Sequence, residues 1–516
     1  MIKKLFNYFK YLKLNRLKLK PLQSKTSVIM VEFFDMKSFG VSGSYFAHTL
    51  SQIHDTKIIL YYPTFLNFKK KIIHFLNNIN PLSNLELFKS FSNGIVIPKK
   101  NKINKKFFLK HYKKITSNEK LVAFKYRDTQ IGDLIYDEFL ARFKVPTLDV
   151  KSEKFKLFFE ECLELILFWE NYIKEKKVKS IVTSHSVYIM GLVARIGISM
   201  NLPVYVIGPH SHYKLTKNKF IKWANQFDYH KQFTEMPKKI RSKIISDSKE
   251  NINRRFVGKT DVRYKYARKI NPVFTDVKMN SKKHKDKKNF NILVASHCFS
   301  DAPHCYGDMI FYDFYEWLDY LGKISNDKKI NKKYKWFIKI HPSLYDKNIK
   351  HFNLILKKYP KFKLVRKHDT HNYLINKIGI DAVLTVFGSV AHEYAFFNIP
   401  VVCAGRNPHE GYNFSITAKS KNDYKKIIYN LEKLKVNSNA KKEIYECYGM
   451  HHLIEYYFFK NMNIDLADWD QLKVVDNFMD NFSNDLHEEK ISLYKDFIFS
   501  KQRRMVDLNY SLEVLP

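Results

Sequence analysis

Hydrophobic positions in this chain fall into short β-rich runs separated by stretches of helical period, and the alternation occurs twice. In the first half the runs are "SVIMVEFF" (27–34), "TKIILYYP" (56–63), "SNGIVIP" (92–98), "VKSIVTSH" (178–185) and "LPVYVIGP" (202–209). Amphipathic patterns over 153–177 and 187–201 predict helices between the later ones. The stretch "DMKSFGVSGSYFAHTLSQI" (35–53) reads as a Gly/Ser turn entering a helix, with "FGVSGSY" (39–45) as a flexible substrate-facing loop. In the second half, runs at 289–296, 334–342, 361–367, 381–388 and 399–405 alternate with helical patterns at 309–324, 370–379 and 389–398. Strand–helix–strand order predicts two doubly wound parallel sheets, an α/β fold of two Rossmann-like domains facing a cleft. The polar break "KMNSKKHKDKKN" (278–289) separates them. The expected organisation is a basic amphipathic segment at 1–25 and a first Rossmann-like domain at 26–215. A helical connector follows at 216–288, then a second Rossmann-like domain at 289–440 and C-terminal helices at 441–516.

Charge adds a preference for polyanions. Ninety Lys and Arg against fifty Asp and Glu give a net +40, a field that attracts anionic lipid, nucleic acid or phosphorylated small molecules. No zinc-finger spacing or aromatic RNA-binding signature accompanies it. The first twenty residues carry seven Lys/Arg and no acid, with Ile2, Leu5, Phe6, Phe9 and Leu12 along one helical face. That pattern suits a helix lying on an anionic membrane surface. No apolar run is long enough to span a bilayer, no secretory leader is visible, and five scattered cysteines fit a reducing compartment. The expectation is a cytoplasmic protein, peripheral on the cytoplasmic face of the membrane.

Candidate chemistry sits where strands end, because open parallel sheets bind ligands at their carboxyl edge. In "TVFGSVAHEYAFF" Gly388 allows a tight turn and Ser389 takes the N-cap position of the next helix, whose N–H groups suit a phosphate. Glu393 lies one turn further on the same face, where a carboxylate can accept from ribose hydroxyls. In "FIKIHPSLYD" Lys339 and His341 close a strand and Pro342 stops it. In "NILVASHCFSDAPHCYGD" (291–308) His297 leaves the strand directly, followed by Asp301, Pro303 and His304. Two His–Cys pairs there suggest a metal, but adjacent residues on an extended chain point in opposite directions. The spacing is also not C-x-x-C, so no metal ligands are assigned and Asp301 and His297 are read as substrate-facing.

The set "IKIHP…TVFGSVAHEYAFFNIPVVCAG" resembles the carboxyl-terminal domain of GT-B glycosyltransferases of bacterial capsule and surface-polysaccharide synthesis. It is similar to the His-Pro group that includes capsular Kdo-transferases, bacterial sialyltransferases and CDP-glycerol glycerophosphotransferases. "IVTSHSVYIMGLVARIGISMNLPVYVIG" (181–208) resembles the strand–helix–strand closing the first domain of such enzymes, more loosely. The resemblance implies a metal-independent transferase without a cofactor, using a nucleotide-sugar donor, CMP- or UDP-linked, and a polysaccharide or lipid-linked acceptor. It implies that His341, Pro342, Gly388 and Ser389 meet the donor phosphates and Glu393 the ribose. Two departures stand out: the Ser doublet of several relatives is Gly388–Ser389 here, and no acidic-acidic-Gly motif occurs in the first half.

An inverting transfer needs a base for the acceptor hydroxyl. Strand-end candidates are Glu32, Asp35, His185 and His210 or His212, with His185 first and Asp35 next; Asp301, on the other sheet, is a further catalytic candidate. The only D-x-D, "DWD" (468–470), is expected on a helical surface. Alternatives are a CDP-glycerol-type glycerophosphotransferase and, outside enzymes, a basic nucleic-acid- or membrane-binding protein. No G-x-x-x-x-G-K-[ST] and no G-x-G-x-x-G after a strand supports a nucleotide hydrolase or a dehydrogenase.

Overall fold

The computed structural model describes residues 1–21, 25–209, 211–221, 228–259, 273–275, 289–307, 309–341, 345–455 and 470–505. The chain divides into two compact units. Unit 1 comprises Met1–Glu138, Asp149–Lys222 and Glu455–Pro516, and unit 2 comprises Phe139–Leu148 and Trp223–Ile454.

Unit 1 holds β1 (Val28–Glu32), β2 (Lys57–Tyr61), β3 (Gly94–Val96), a hairpin of β4 (Lys125–Tyr126) with β5 (Thr129–Gln130), β6 (Val178–Thr183), β7 (Val204–Gly208) and β8 (Ser211–Leu215). Its main sheet runs β3-β2-β1-β6-β7-β8. All pairs are parallel except β7–β8, an antiparallel edge that the sequence pattern does not announce. Unit 2 holds β9 (Phe290–Ala295), β10 (Tyr334–Lys339), β11 (Phe362–Leu364), β12 (Ala382–Thr385), β13 (Val401–Cys403) and β14 (Ile416–Thr417). They run β11-β10-β9-β12-β13-β14, all parallel. In each sheet the strand order is that of the dinucleotide-binding fold, with its switch point between the first and fourth strands. Those switch points are β1/β6 and β9/β12. The continuous apolar character of the strands follows from burial on both faces.

Four helices of unit 1 matter below: α1 (Ile2–Leu14), α2 (Lys37–His54), α3 (Phe68–Ile79) and α4 (Asn84–Phe91). The stretch 39–45, expected as a flexible loop, lies inside α2. Of its two glycines, Gly40 serves close packing instead: a Cβ there would fall 2.4 Å from Leu87 Cδ2 of α4. Ser42 donates to Gly208 O, and the Ser44 and Tyr11 hydroxyls pair at 2.8 Å. The N-terminal helix is not a detached segment. It buries Tyr8, Tyr11 and Leu12 in the core of unit 1, while Ile2, Phe6 and Phe9 stay exposed. Lys3 pairs with Asp480 and Lys4 with Asp470 on the C-terminal helix Gln471–Asp480. Asp470, the described end of "DWD", also caps that helix through the Leu472 and Lys473 N–H groups. The C-terminal helices 471–499 thus complete unit 1, whereas helix Ala440–Tyr448 belongs to unit 2.

The expected connector helix, Lys238–Phe256, is likewise part of unit 2. It buries Ile240, Ile244 and Ile252, and Gly449 approaches it so closely that a Cβ there would sit 2.1 Å from Ile244 Cγ2. The Lys-rich break lies almost entirely outside the described residues. The helix expected over 309–324 begins only at Phe314, where Asp313 caps it by accepting from Glu316 N.

Candidate functional site

At the switch point of unit 2, β9 hands over to Ser296 and His297. Ser296 donates to Lys339 O from both its N–H and its hydroxyl, tying the ends of β9 and β10 together. His297 reaches across to the loop after β12. Its Nε2 accepts from Val386 N and Phe387 N, each at 3.4 Å, and lies 3.2 Å from Thr385 Oγ1. The ring stacks on Phe314 at 4.7 Å and packs on Phe387. A nitrogen that accepts from backbone N–H carries no proton, so the ring proton is on Nδ1. Burial agrees: it pushes the His297 pKa down to about 3, helped by neighbouring His341. The expected ligand contact is therefore a neutral strut that fixes the Gly388–Ser389 turn. A Cβ at Gly388 would sit 3.0 Å from Thr385 Oγ1 and 3.7 Å from His297 Cε1.

Ser389 flanks the short helix Val390–Phe396 with helical angles, φ −58° and ψ −17°, and makes no side-chain cap bond. The first N–H groups of a helix have no acceptor within its own ladder; here Ala391 N donates back to Gly388 O, which leaves the N–H groups of Ser389 and Val390 as the donors of this turn. His341 is exposed nearby. Desolvation lowers its pKa, and the charges of Asp301 and Glu393 oppose that shift. Asp301 is exposed on the turn closed by its N–H to Cys298 O. His297, His341, Asp301 and the Gly388–Ser389 turn thus come together in one neighbourhood. Pro342 lies outside the described residues.

Two expected ligand residues turn inward. Glu393 is 1% exposed, and its Oε1 accepts from both Nε and Nη2 of Arg255 at 2.6 Å. Lys339 is buried, and its Nζ donates to Asp369 O at 2.5 Å, with its pKa lowered by burial. Both hold the loops from behind. The reason is tertiary: helical spacing puts Glu393 on the Ser389 face but does not reveal that Arg255 arrives from more than a hundred residues upstream.

A second feature adjoins this edge. A cavity of about 620 Å³ opens beyond β13, lined by Met309, Arg406, Glu410, Tyr412, Thr417 and Lys419 among others. One Glu410 oxygen, Oε2, accepts no hydrogen bond, and burial raises that carboxyl's pKa against the pull of Arg406. The signal in the sequence was the charged, glycine-containing "GRNPHEG" directly after a strand (405–411).

The switch point of unit 1 repeats the plan with other chemistry. Glu32, at the end of β1, accepts from Thr183 Oγ1 and Ser184 N of the β6 end, both at 2.6 Å. Burial raises its pKa, with those bonds opposing. His185 follows, half-buried, with Nδ1 2.8 Å from Ser184 Oγ and its ring clustered with Phe34 and Phe39. Asp35, next to Phe34, is exposed and accepts from Asn84 Nδ2 at 2.8 Å. The structure therefore brings His185 and the Asp35 loop together. It removes His212, which is fully buried and stacked on Tyr494; His210 lies outside the described residues. Among the described residues no three metal-ligating side chains cluster.

No family model matches the chain, and no curated protein matches it. Solved structures show weak likeness. The chain is similar to a KpsC beta-Kdo 2,4 transferase of Thermosulfurimonas dismutans, 9% identical, covering 52% of this chain and 79% of that one, TM-score 0.30. It is similar to a glycosyltransferase of Rickettsia africae, 12% identical over 93% and 100%, TM-score 0.22. A wall teichoic acid polymerase, TagF, is 11% identical over 95% and 99%, TM-score 0.22. None superposes closely enough to transfer a residue's role.

Proposed function

We propose that the chain is a GT-B-type glycosyltransferase that moves a sugar from a nucleotide-sugar donor to a surface-polysaccharide or lipid-linked acceptor. The observation that carries the reading is the His297 strut at the β9/β12 switch point. It holds a glycine–serine turn, with helix-end N–H groups, beside His341. Preorganised donors of this kind offset charge on a leaving phosphate without reorganising. His341, whose protonated form the charge of Asp301 favours, donates to a phosphate oxygen. The cavity beyond β13 has the volume of a small-molecule site and takes the nucleoside, with Glu410 accepting from ribose or base amino groups. In this reading the donor charge is met by protein groups without a metal. The general base is assigned to His185, held through Nδ1 by Ser184, with Asp35 second. Peripheral placement on the cytoplasmic face of an anionic membrane belongs to the same reading.

A thermal-shift panel of CMP, CDP, UDP and GDP tests the donor site. One cytidine or uridine nucleotide should raise the melting temperature. His341→Ala should weaken its binding about ten- to a hundredfold, the loss of one hydrogen bond to a charged group. His185→Ala should bind it normally yet turn over about 10²- to 10⁴-fold more slowly. No shift with any nucleotide would remove the reading.

A further inference from the structure

In a soluble protein a surface helix turns its apolar stripe to the core, and α3 is mounted the other way round. At 100° per residue, Phe68, Ile72, Phe75, Leu76 and Ile79 form one stripe, bordered by Lys69 on one side and Lys71 on the other. The opposite edge carries His74 and Asn77, and that edge is docked: His74 Nδ1 meets Tyr62 OH at 2.9 Å, and Ser83 Oγ donates to Asn77 O at 2.7 Å. No residue of α3 is buried, and Phe68, Phe75 and Ile79 are 80%, 63% and 65% exposed.

Helix α1 is tied to the same turn as α3. Tyr8 of α1 donates to Ser83 O, so the same serine ties both helices. Among the described residues, eleven of the sixteen large hydrophobics left exposed belong to α3 or to the N-terminal segment with Ile2, Phe6, Phe9 and Leu17. Neither α3 nor residues 1–20 contain an acid. An apolar stripe edged by lysines, without carboxylates, complements an anionic bilayer, whose acyl boundary takes the stripe and whose headgroups take the ammoniums.

We infer that α3, with the outer face of α1, is the surface by which this protein lies on an anionic lipid bilayer, the helix axis in the membrane plane. This deepens the membrane part of the proposed function, on which it rests only for the cellular setting. It narrows the role expected of α1: Ile2, Phe6 and Phe9 face outward, while Tyr8, Tyr11 and Leu12 belong to the core of unit 1.

Full-length protein is sedimented with vesicles of phosphatidylcholine alone and with vesicles of equal parts phosphatidylcholine and phosphatidylglycerol. Wild type should pellet with the anionic vesicles. Ile72→Glu/Phe75→Glu should lower the partition coefficient at least a hundredfold. Lys69→Gln/Lys71→Gln should lower it about 25-fold, at about fivefold per lysine. Leu354→Glu, an exposed leucine of unit 2, should change nothing. Unchanged partition of Ile72→Glu/Phe75→Glu overturns the inference. So does a wild type that ignores lipid but forms a concentration-dependent dimer that this variant abolishes, because the stripe then meets a second copy. Vesicle binding that persists while every nucleotide fails to bind removes the transferase reading and leaves this one standing.

Discussion

The two sheets share strand order and place a side chain at the same point, the end of the first strand, reaching across to the loop after the fourth. In unit 1 it is Glu32, accepting from Ser184 N and Thr183 Oγ1. In unit 2 it is His297, accepting from Val386 N and Phe387 N. Both satisfy backbone or hydroxyl donors that the parting strands leave over. They differ in what burial does to them. Burial favours the neutral form of each, so it raises the carboxyl pKa and lowers the imidazole pKa. The same topological device thus responds to acid with opposite signs.

The largest expected effect comes from removing the carboxylate. Glu32→Ala strands two buried donors and opens a cavity, and should cost about 3 kcal/mol in denaturant unfolding. Glu32→Gln keeps the shape and one acceptor and should cost about 1 kcal/mol. Equal costs for the two would show that packing, and not the acceptor, matters at this switch point.

Acid should separate the units next. His297 has a folded pKa of about 3, below the ordinary 6.5. Its contribution is complete above about pH 6.5 and is lost as the pH falls toward 3, on the order of 1–2 kcal/mol by pH 5. His371, also buried and pushed down to about 3, adds to unit 2 in the same sense. Glu32, with a raised pKa, contributes fully below its ordinary value of 4.5 and loses that contribution as pH rises through its folded pKa. The protection factor against hydrogen exchange, corrected for the intrinsic exchange rate at each pH, should therefore fall from pH 7 to pH 5 in the loop after β12 and not in the loop after β6. A parallel fall in both would break the contrast.

Replacing the imidazole by a ring without an acceptor comes third. His297→Phe preserves stacking on Phe314 but leaves the Val386 and Phe387 N–H groups without a partner. It should cost about 1 kcal/mol and loosen the Gly388–Ser389 turn; if that turn holds the nucleotide as proposed, binding weakens severalfold. Gly388→Ala is the mildest. Its Cβ presses on Thr385 Oγ1 at 3.0 Å, which should cost under about 1 kcal/mol, read as a small drop in melting temperature with a few-fold loss of nucleotide affinity.

Sequence pattern found the strands well, because buried parallel strands are apolar along their whole length. It located the Gly388–Ser389 turn, His341 and His297 at strand ends for the same reason. It misjudged residues whose role depends on a distant partner. Gly40 signals a loop by composition, yet it serves the approach of α2 to α4. Glu393 and Lys339 look like ligands by spacing, yet Arg255 and Asp369 O claim them. The edge strands β8 and β14 carry little signal, because an edge strand needs no apolar run. For α3, inside a Lys- and Phe-rich stretch, the pattern shows that a helix has an apolar side but not which way that side faces.

The pairing of Lys3 with Asp480 spans 477 residues, which has a consequence for biosynthesis. The N-terminal helix leaves the ribosome long before the helix that covers its inner side exists, whereas the second unit's residues emerge as a nearly continuous block in between. During that interval Tyr8, Tyr11 and Leu12 lack part of their final cover. A nascent chain halted before residue 470 would have its second sheet complete and its first still open, a state that chaperones would bind and that proteases would cut first.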